Sequence, residues 1–361
     1  MKLIVTQASL AGCAITLGED ERRIEEEPEY WAHDEKQLER LRRLIGLGTR
    51  YTARKSTTTC DLCESASRSL MRAMGLQAKD IGALVSVTQT PDYRMPGNAH
   101  VLHDRLGFSM DSPALDLELG CSGFVFGLWN AASLASSGGR PVLLVTGDTL
   151  SRQANKSDPG TRPLFGDAGA AALIMPGDDK DIMRFILHSD GSRLRSMYIP
   201  AGGARLPSGP ETRLEREAED GGIRSDDDLY MDGFAVFAFT MTEQPRLLRD
   251  ILAYSGKSLE EVDYFVLHQA NRYIVETITR KAGIPPSKAP SGIFSRYGNQ
   301  NSASIPGVFC GALADSLKKG SFETVLQGYG TGLSWGACQL RLDDMICLLP
   351  VPYAGTGKRA G

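Results

Sequence analysis

Cys121 lies in a setting that suits a nucleophile. It stands between a predicted strand and a predicted helix, in Gly-Cys-Ser-Gly-Phe at 120–124. Unpaired backbone N–H groups and the dipole at a helix N-terminus favour a thiolate, so we expect a lowered pKa for this thiol. The small neighbours leave room for a substrate. On local sequence alone, a buried cysteine that packs as a small hydrophobic side chain fits equally well.

Two further polar side chains could assist such a nucleophile. His268 ends an apolar strand and precedes Gln-Ala-Asn, where an imidazole suits acid–base chemistry or hydrogen-bond donation. Asn299 lies in Tyr-Gly-Asn-Gln-Asn-Ser-Ala-Ser at 297–304, and its amide could donate to a developing oxyanion. Taken singly, a structural histidine and a helix-capping asparagine are the simpler interpretations.

A glycine-dense stretch follows near the C-terminus. It reads Gly-Tyr-Gly-Thr-Gly-Leu-Ser-Trp-Gly at 328–336. Such a run lets backbone N–H groups approach a ligand closely. It is not a phosphate loop, because no Gly-Lys-Ser/Thr follows.

Elements that would position these residues repeat along the chain. Short apolar runs are typical of strands buried on both faces of a sheet, and they alternate with helical patterns, which indicates an α/β fold. The second half repeats the first at an offset of about 180 residues, as expected for a duplicated domain. The predicted strands are 83–87, 141–145, 263–268 and 324–326, and the predicted helices are 60–74, 124–137 and 302–319.

Composition narrows the class of protein. The chain has 361 residues and a formal net charge of −4, with no Lys/Arg block that would indicate nucleic-acid binding. Its seven irregularly spaced cysteines predict reduced thiols in a cytosolic compartment rather than a disulfide framework. The N-terminus resembles a lipoprotein signal up to Cys13, but polar residues interrupt the apolar run, which favours a first β-strand. No stretch approaches the roughly 20 apolar residues of a membrane span.

Three other segments need an interpretation. Cys60 and Cys63 could indicate a redox or zinc motif, but no second cysteine pair lies at zinc-site spacing and the preceding threonines favour a helix cap. Residues 202–228 are polar and rich in glycine and proline, which predicts a long surface loop. Residues 350–361 form a predicted flexible tail.

The ordered motifs resemble those of the β-ketoacyl-acyl-carrier-protein synthase III family. Besides the stretches around Cys121, His268, Asn299 and 328–336, Phe-Gly-Asp-Ala-Gly-Ala at 165–170 and Met-Asp-Gly-Phe-Ala-Val-Phe at 231–237 also fit. The resemblance covers about residues 1 to 345 and implies the thiolase fold: duplicated βαβαβαββ halves in a five-layer αβαβα arrangement. We place the halves at 1–178 and 179–349.

The resemblance also implies roles for individual residues. Cys121 would be acylated by a thioester, and His268 and Asn299 would stabilise the enolate formed when malonyl carrier protein loses carbon dioxide. Backbone N–H groups of Cys121 and Thr331 would form the oxyanion hole. The substrate-binding residues implied are Met95 (reaching into a partner subunit's acyl tunnel), Arg152 (near the nucleotide of coenzyme A), Phe234, Gly330 and Gly332.

The implied function is an acyltransferase of fatty acid biosynthesis: a cytoplasmic homodimer that binds acyl carrier protein, uses acyl-coenzyme A or acyl carrier protein as primer, and needs no cofactor or metal. The family's Asp-Glu-Trp-Ile stretch is missing, and 37–44 stands there instead, which makes a carrier-protein primer a reasonable expectation. The basic residue expected after His-Gln-Ala-Asn comes one place early, as Arg272. Acyl transfer to an alcohol or amine in a secondary pathway is the alternative function, and a non-catalytic partner subunit is a third.

Overall fold

The computed structural model describes residues 1–218 and 221–355 and forms a mixed α/β fold. Within this part of the chain the strands, in order, are β1 (Lys2–Thr6), β2 (Ala8–Leu17), β3 (Asp20–Arg23), β4 (Thr49–Thr52), β5 (Ala83–Val87), β6 (Ala114–Leu117), β7 (Val142–Asp148), β8 (Ala168–Pro176), β9 (Ile182–Ser189), β10 (Met197–Tyr198), β11 (Arg216–Glu217), β12 (Ile223–Arg224), β13 (Tyr230–Met231), β14 (Tyr264–Leu267), β15 (Ser321–Gly330), β16 (Ser334–Asp343), β17 (Ile346–Cys347) and β18 (Val351–Pro352).

The α-helices range from single turns to 23 residues. They are α1 (Glu35–Arg40), α2 (Thr59–Ala73), α3 (Asn98–Leu106), α4 (Gly123–Gly138), α5 (Gly233–Ser255), α6 (Arg272–Ala282), α7 (Phe294–Tyr297), α8 (Ser304–Ala312) and α9 (Ala314–Leu317). The predicted helix at 302–319 is thus divided: a 3₁₀ turn at Asn301–Ala303 precedes α8, and α9 follows it.

Two sheets form the framework. The first has the order β17-β2-β8-β7-β5-β6, with β18 also paired to β2, and the second has the order β1-β9-β16-β15-β14. Within them, β5 runs parallel to β6 and β7, and β14 runs parallel to β15. The strands predicted at 83–87, 141–145, 263–268 and 324–326 therefore exist, as β5, β7, β14 and part of β15.

Helices fill three layers around these sheets. One apolar core combines α4 and α8 with residues of both sheets, so these two helices lie between the sheets. A second core joins α2 and α3 to the outer face of the first sheet, and a third joins α5 and α6 to the outer face of the second. This is the five-layer thiolase arrangement that the motifs implied, so that prediction is confirmed.

Several local predictions can be compared with the structure. Cys60 and Cys63 lie buried on α2, which begins with a capping box between Thr58 and Asp61, so the helix interpretation is confirmed. The N-terminal segment forms β1, as predicted, although β1 pairs with β9 in the sheet of the second half. Outside 219–220, the polar stretch 202–228 is mostly loop, with β11 and β12 as a short hairpin.

The half boundary near 178 stays a prediction. The first residues of the predicted tail include β18, which pairs in parallel with β2, while 356–361 lie outside the described residues.

Candidate active site

Cys121 lies at the seam between the halves. The chain leaves β6, makes a turn in which the Gly123 N–H donates to the Gly120 carbonyl at 2.7 Å, and enters α4. The side chain is 5% exposed, and its Sγ donates to Oδ1 of Asn301 at 2.9 Å. The thiol of Cys121 in the first half is therefore held by an amide of the second half.

The expected low pKa of this thiol is wrong for the structure. Burial, and then the nearby Asp148 carboxylate, raise the pKa of Cys121 to about 12. Its own backbone N–H acts in the opposite direction but does not offset the burial. Cys121 is therefore a protonated thiol at neutral pH, in agreement with its role as a hydrogen-bond donor.

His268 follows directly after β14 and is 1% exposed. Its ring packs edge-on against Tyr329 with centroids 5.3 Å apart. Burial lowers the pKa of His268 to about 3, and a hydrogen bond to the backbone of Asn301 only partly opposes this. The imidazole is therefore neutral at physiological pH and can donate or accept a hydrogen bond without carrying charge.

Asn299 is held in place by backbone pairing with the first half. Its N–H donates to the Leu164 carbonyl at 2.8 Å, and its carbonyl accepts from the Gly166 N–H at 3.0 Å. Its Oδ1 accepts from the Asn301 N–H at 3.0 Å, while the residue lines the same cavity as Cys121 and His268. The structure thus brings together the three residues singled out from the sequence.

Sequence reasoning missed the polar residues that support this group. Asn301 contacts Sγ of Cys121, Gln89 contacts Asn301, and Asp148 anchors both loops. Only their positions in the sequence could have indicated these residues. Asn301 follows Asn299 by two residues, Gln89 comes two residues after the end of β5, and Asp148 ends β7. Burial raises the pKa of Asp148 to about 6, against hydrogen bonds from Ser302, Gln89 and Thr88.

A cavity of about 280 Å³ gives access to these groups. Its described lining contains no Asp, Glu, Lys or Arg. The rim includes Phe237 of α5 and Tyr273 of α6, whose rings stack with centroids 6.2 Å apart. The other lining residues besides Cys121, His268 and Asn299 are mostly apolar: Ile45, Leu164, Phe165, Met197, Met231, Gly233, Val236, Phe239, Thr240, Ala270, Asn271, Ile274, Tyr329, Gly330 and Leu333.

The glycine-dense stretch approaches Cys121 closely at Gly330. A Cβ built on Gly330 would lie 2.6 Å from Cβ and 3.1 Å from Sγ of Cys121, so only glycine fits without displacement. Gly330 lines the cavity, whereas Thr331 and Gly332 follow it outside the lining. The Thr331 N–H as an oxyanion donor stays a prediction.

The remaining predicted substrate residues lie elsewhere. The Arg152 guanidinium donates to the carbonyls of Arg54 and Thr57 and is absent from the cavity lining. Phe234 is 82% exposed and lines a neighbouring cavity of about 800 Å³. Met95 is 84% exposed on the surface. Their roles in substrate binding, like that of Gly332, stay predictions.

Between residues 1–218 and 221–355, no group of three or more His, Cys, Asp or Glu side chains is arranged to hold a metal ion. None of the helices in these same ranges combines the length and the apolar character that crossing a membrane would require.

Comparisons with known proteins agree with this geometry. The family model described as 3-oxoacyl-[acyl-carrier-protein (ACP)] synthase III matches residues 115–191, and the model of the C-terminal part of that family matches 252–342. The solved 3-oxoacyl-(acyl-carrier protein) synthase of Burkholderia xenovorans LB400 superimposes with a TM-score of 0.90 at 31% identity, covering 98% of this chain and 99% of that one.

Sequence relatives carry the same name. A β-ketoacyl-[acyl-carrier-protein] synthase III of Streptococcus agalactiae is 34% identical over 293 residues, which is 80% of this chain and 86% of the relative. That of Synechococcus sp. is 32% identical over 304 residues, covering 83% and 87%. The chain belongs to the 3-oxoacyl-[acyl-carrier-protein] synthase III family and is a condensing acyltransferase.

Proposed function

We propose that this chain loads an acyl group from a thioester onto Cys121 and condenses it with a malonyl thioester carried by acyl carrier protein, releasing carbon dioxide and a 3-oxoacyl thioester. The observation that supports this most directly is the single apolar cavity into which Cys121, His268 and Asn299 all open. A thiol nucleophile and two neutral hydrogen-bond donors in one dry site suit two successive reactions of thioester carbonyls.

Acyl loading is the first step. Sγ of Cys121 attacks the carbonyl carbon of the primer thioester, the new C–S bond forms, and the old C–S bond breaks. The thiol proton leaves Cys121 and ends on the departing thiol, so the step is balanced. Because the resting thiol is protonated, loading is expected to become faster as the pH rises toward the pKa of Cys121.

Condensation is the second step. The malonyl carboxylate leaves as carbon dioxide, the resulting enolate carbon attacks the acyl-cysteine carbonyl, and the thiol of Cys121 is regenerated after protonation. Neutral His268 and the Asn299 amide would donate to the thioester oxygen, where negative charge develops. The described lining residues of the cavity include no charged side chain that would stabilise the malonyl carboxylate. The absence of such a side chain favours the loss of this carboxylate as carbon dioxide.

Primer, partners and assembly are part of the same proposal. The relatives named above are synthases of acyl-carrier-protein substrates, which supports a carrier protein as partner and either acyl-coenzyme A or acyl carrier protein as primer. We also propose a cytoplasmic homodimer that requires no cofactor; the free thiols of all seven cysteines agree with a reducing compartment. The relatives' names favour condensation over acyl transfer to an alcohol or amine.

Intact-mass measurement tests the loading step. Wild type, Cys121→Ala and the control Cys63→Ala, which removes a buried thiol on α2, are each offered a panel of acyl-coenzyme A and acyl-carrier-protein thioesters. We expect an acyl adduct on wild type and Cys63→Ala but not on Cys121→Ala. An adduct of equal yield on Cys121→Ala would overturn the proposed nucleophile.

Release of the adduct tests the second step. Malonyl carrier protein should remove the acyl group from the loaded enzyme and yield a 3-oxoacyl product, and His268→Ala and Asn299→Ala should load but condense poorly. Release by a simple alcohol or amine, with none by malonyl carrier protein, would replace condensation with the alternative acyl transfer.

A further inference from the structure

A chain of two side-chain amides begins at the sulfur of Cys121. The thiol donates to Oδ1 of Asn301 at 2.9 Å, and Nδ2 of Asn301 donates to Oε1 of Gln89 at 3.3 Å. Asn301 is 1% exposed and has a left-handed φ of 49°. A buried residue held in this uncommon conformation, with its amide directed at a nucleophile, is poorly explained by packing alone.

The surroundings fix the backbone of both amides and leave space between them. The Gln89 N–H donates to Oδ1 of Asp148 at 2.7 Å, and the Ser302 hydroxyl donates to Oδ2 of Asp148 at 2.6 Å. Asp148 thus anchors both loops. A Cβ on Gly120 would lie 2.2 Å from Oε1 of Gln89 and 2.8 Å from Oδ1 of Asn301, so the absence of a side chain there gives the amides their room.

The two protonation states of Cys121 make opposite demands on Asn301. The thiol needs an acceptor, whereas the thiolate needs a donor. Rotating a carboxamide by half a turn exchanges its oxygen and nitrogen at nearly the same positions. If Asn301 alone turned, its Oδ1 would face Oε1 of Gln89, two acceptors in contact. If Gln89 turned as well, its Nε2 would donate to Oδ1 of Asn301.

We propose that Asn301 and Gln89 form a coupled amide pair that hydrogen-bonds Sγ of Cys121 in both of its protonation states. With the thiol, Asn301 accepts through Oδ1. With the thiolate, both amides are turned and Asn301 donates through Nδ2. Asn301 is then a catalytic residue, since it touches the reacting sulfur, and Gln89 is a positioning residue. The importance of the pair for turnover rests on the proposed role of Cys121 as nucleophile.

The charged and titratable groups around the sulfur make this donor important. Asp148, at the end of β7, lies close enough to raise the pKa of the thiol. Tyr329 of β15 lies close enough for Cys121 to raise its pKa, and His268, at the end of β14, lines the same cavity as Cys121. No Lys or Arg is present among the described lining residues of the cavity, and His268 is neutral. An amide N–H is therefore a substantial source of stabilisation for a thiolate here.

Iodoacetamide alkylation tests the pair without any acyl substrate. The rate of Cys121 alkylation is followed by intact mass from about pH 6 to about pH 10, with Cys121→Ala as background. The variant Asn301→Gly removes the amide, and glycine tolerates the left-handed φ. A charge-assisted bond to the thiolate is roughly twice as strong as a neutral one, so loss of the amide should raise the pKa of Cys121 by about one unit. The whole pH range lies below that pKa, where the rate follows the thiolate fraction, so alkylation of Asn301→Gly should be about tenfold slower at each pH.

Asn301→Asp gives an independent variant of nearly the same shape that only accepts when ionised, and its alkylation rate should fall at least as far. The matched control is Ser334→Ala, whose hydroxyl bonds Ser122 and the Thr331 carbonyl but not Sγ, and its alkylation rate should stay at the wild-type value. Faster alkylation of Asn301→Gly would mean that Asn301 only accepts, and an unchanged rate would mean that it only supports the loop. Either result overturns the proposal. Failure to form an acyl adduct would instead count against the proposed function and leave the alkylation result standing.

Discussion

Replacing Gly330 by alanine should slow acyl loading while leaving the fold intact. The added Cβ would lie 2.6 Å from Cβ of Cys121, whereas carbon atoms in contact are normally about 3.5–4.0 Å apart. Relief therefore requires a displacement of about 1 Å, and the neighbouring atoms belong to the nucleophile itself, including its N atom at 3.5 Å. Neither partner is the free end of a long side chain, so the shift cannot be absorbed by a rotamer change.

The expected loss is large for activity and moderate for stability. A misplacement of about 1 Å costs on the order of 10²-fold in rate, so the acyl-loading rate of Gly330→Ala should fall by about two orders of magnitude. Overpacking of a buried site typically costs about 1–3 kcal/mol of unfolding free energy, so the Tm should fall by only a few degrees. Single-turnover loading followed by intact mass, together with calorimetry, measures both quantities.

Gly138 offers a matched control. It ends α4, and a Cβ there meets no atom within 4 Å, so Gly138→Ala should load at the wild-type rate. If Gly330→Ala also loaded within about twofold of wild type, the tight contact between Gly330 and the nucleophile would have no catalytic consequence.

Three further results are expected. Burial lowers the pKa of His268 to about 3, so the unfolded state takes up a proton before the folded state does as the pH falls below about 6.5. This residue should therefore lower the free energy of unfolding by about 2 kcal/mol between about pH 7 and pH 5. Urea unfolding of wild type should show that loss relative to His268→Gln. Asp148, with a pKa raised to about 6, binds a proton first in the folded state and should offset part of the loss in both proteins, so equal pH dependence of the two would contradict the assignment to His268. Glu27→Gln should lower the unfolding free energy by about 3–5 kcal/mol, because it leaves the buried guanidinium of Arg50 without its carboxylate partner. A change below about 1 kcal/mol in chemical denaturation would count against a stabilising Arg50–Glu27 ion pair. Thr58→Ala should cost about 1 kcal/mol through loss of the α2 cap, again by denaturation, and no change would show that Asp61 caps the helix alone.

The sequence was sufficient for the framework and for the principal residues of the site. Apolar strand runs repeated at a constant offset predict two similar sheets, and the polar residues that follow such strands must meet where the strands end. This places Cys121 and His268 near one another without any knowledge of side-chain geometry. Asn299 follows no strand, and only the family resemblance placed it with them. The division of the predicted helix at 302–319 was not predictable, because neither the 3₁₀ turn at Asn301–Ala303 nor the break at Leu313 between α8 and α9 is visible in the apolar pattern.

Side-chain direction was the other limit. Arg152 follows β7 near the site in sequence, yet its guanidinium bonds the carbonyls of Arg54 and Thr57. The pKa of Cys121 was misjudged for a similar reason, since the local pattern indicates a helix start but not the depth of burial or the proximity of Asp148. Such properties arise from contacts distant in sequence, which periodicity and motif spacing do not report.

The seam between the halves brings residues of both together in one site. The first half provides Cys121 and the Asp148 carboxylate, and the second provides His268, Asn299 and Asn301. Asp148 binds Ser302 across this seam, and Asn299 is paired on both sides of its backbone with Leu164 and Gly166. The position of each amide relative to the sulfur is therefore set by contacts between halves rather than within one. Loosening that seam should disturb the amides before it disturbs either sheet, because each sheet is stabilised by its own strand pairing and its own outer helices.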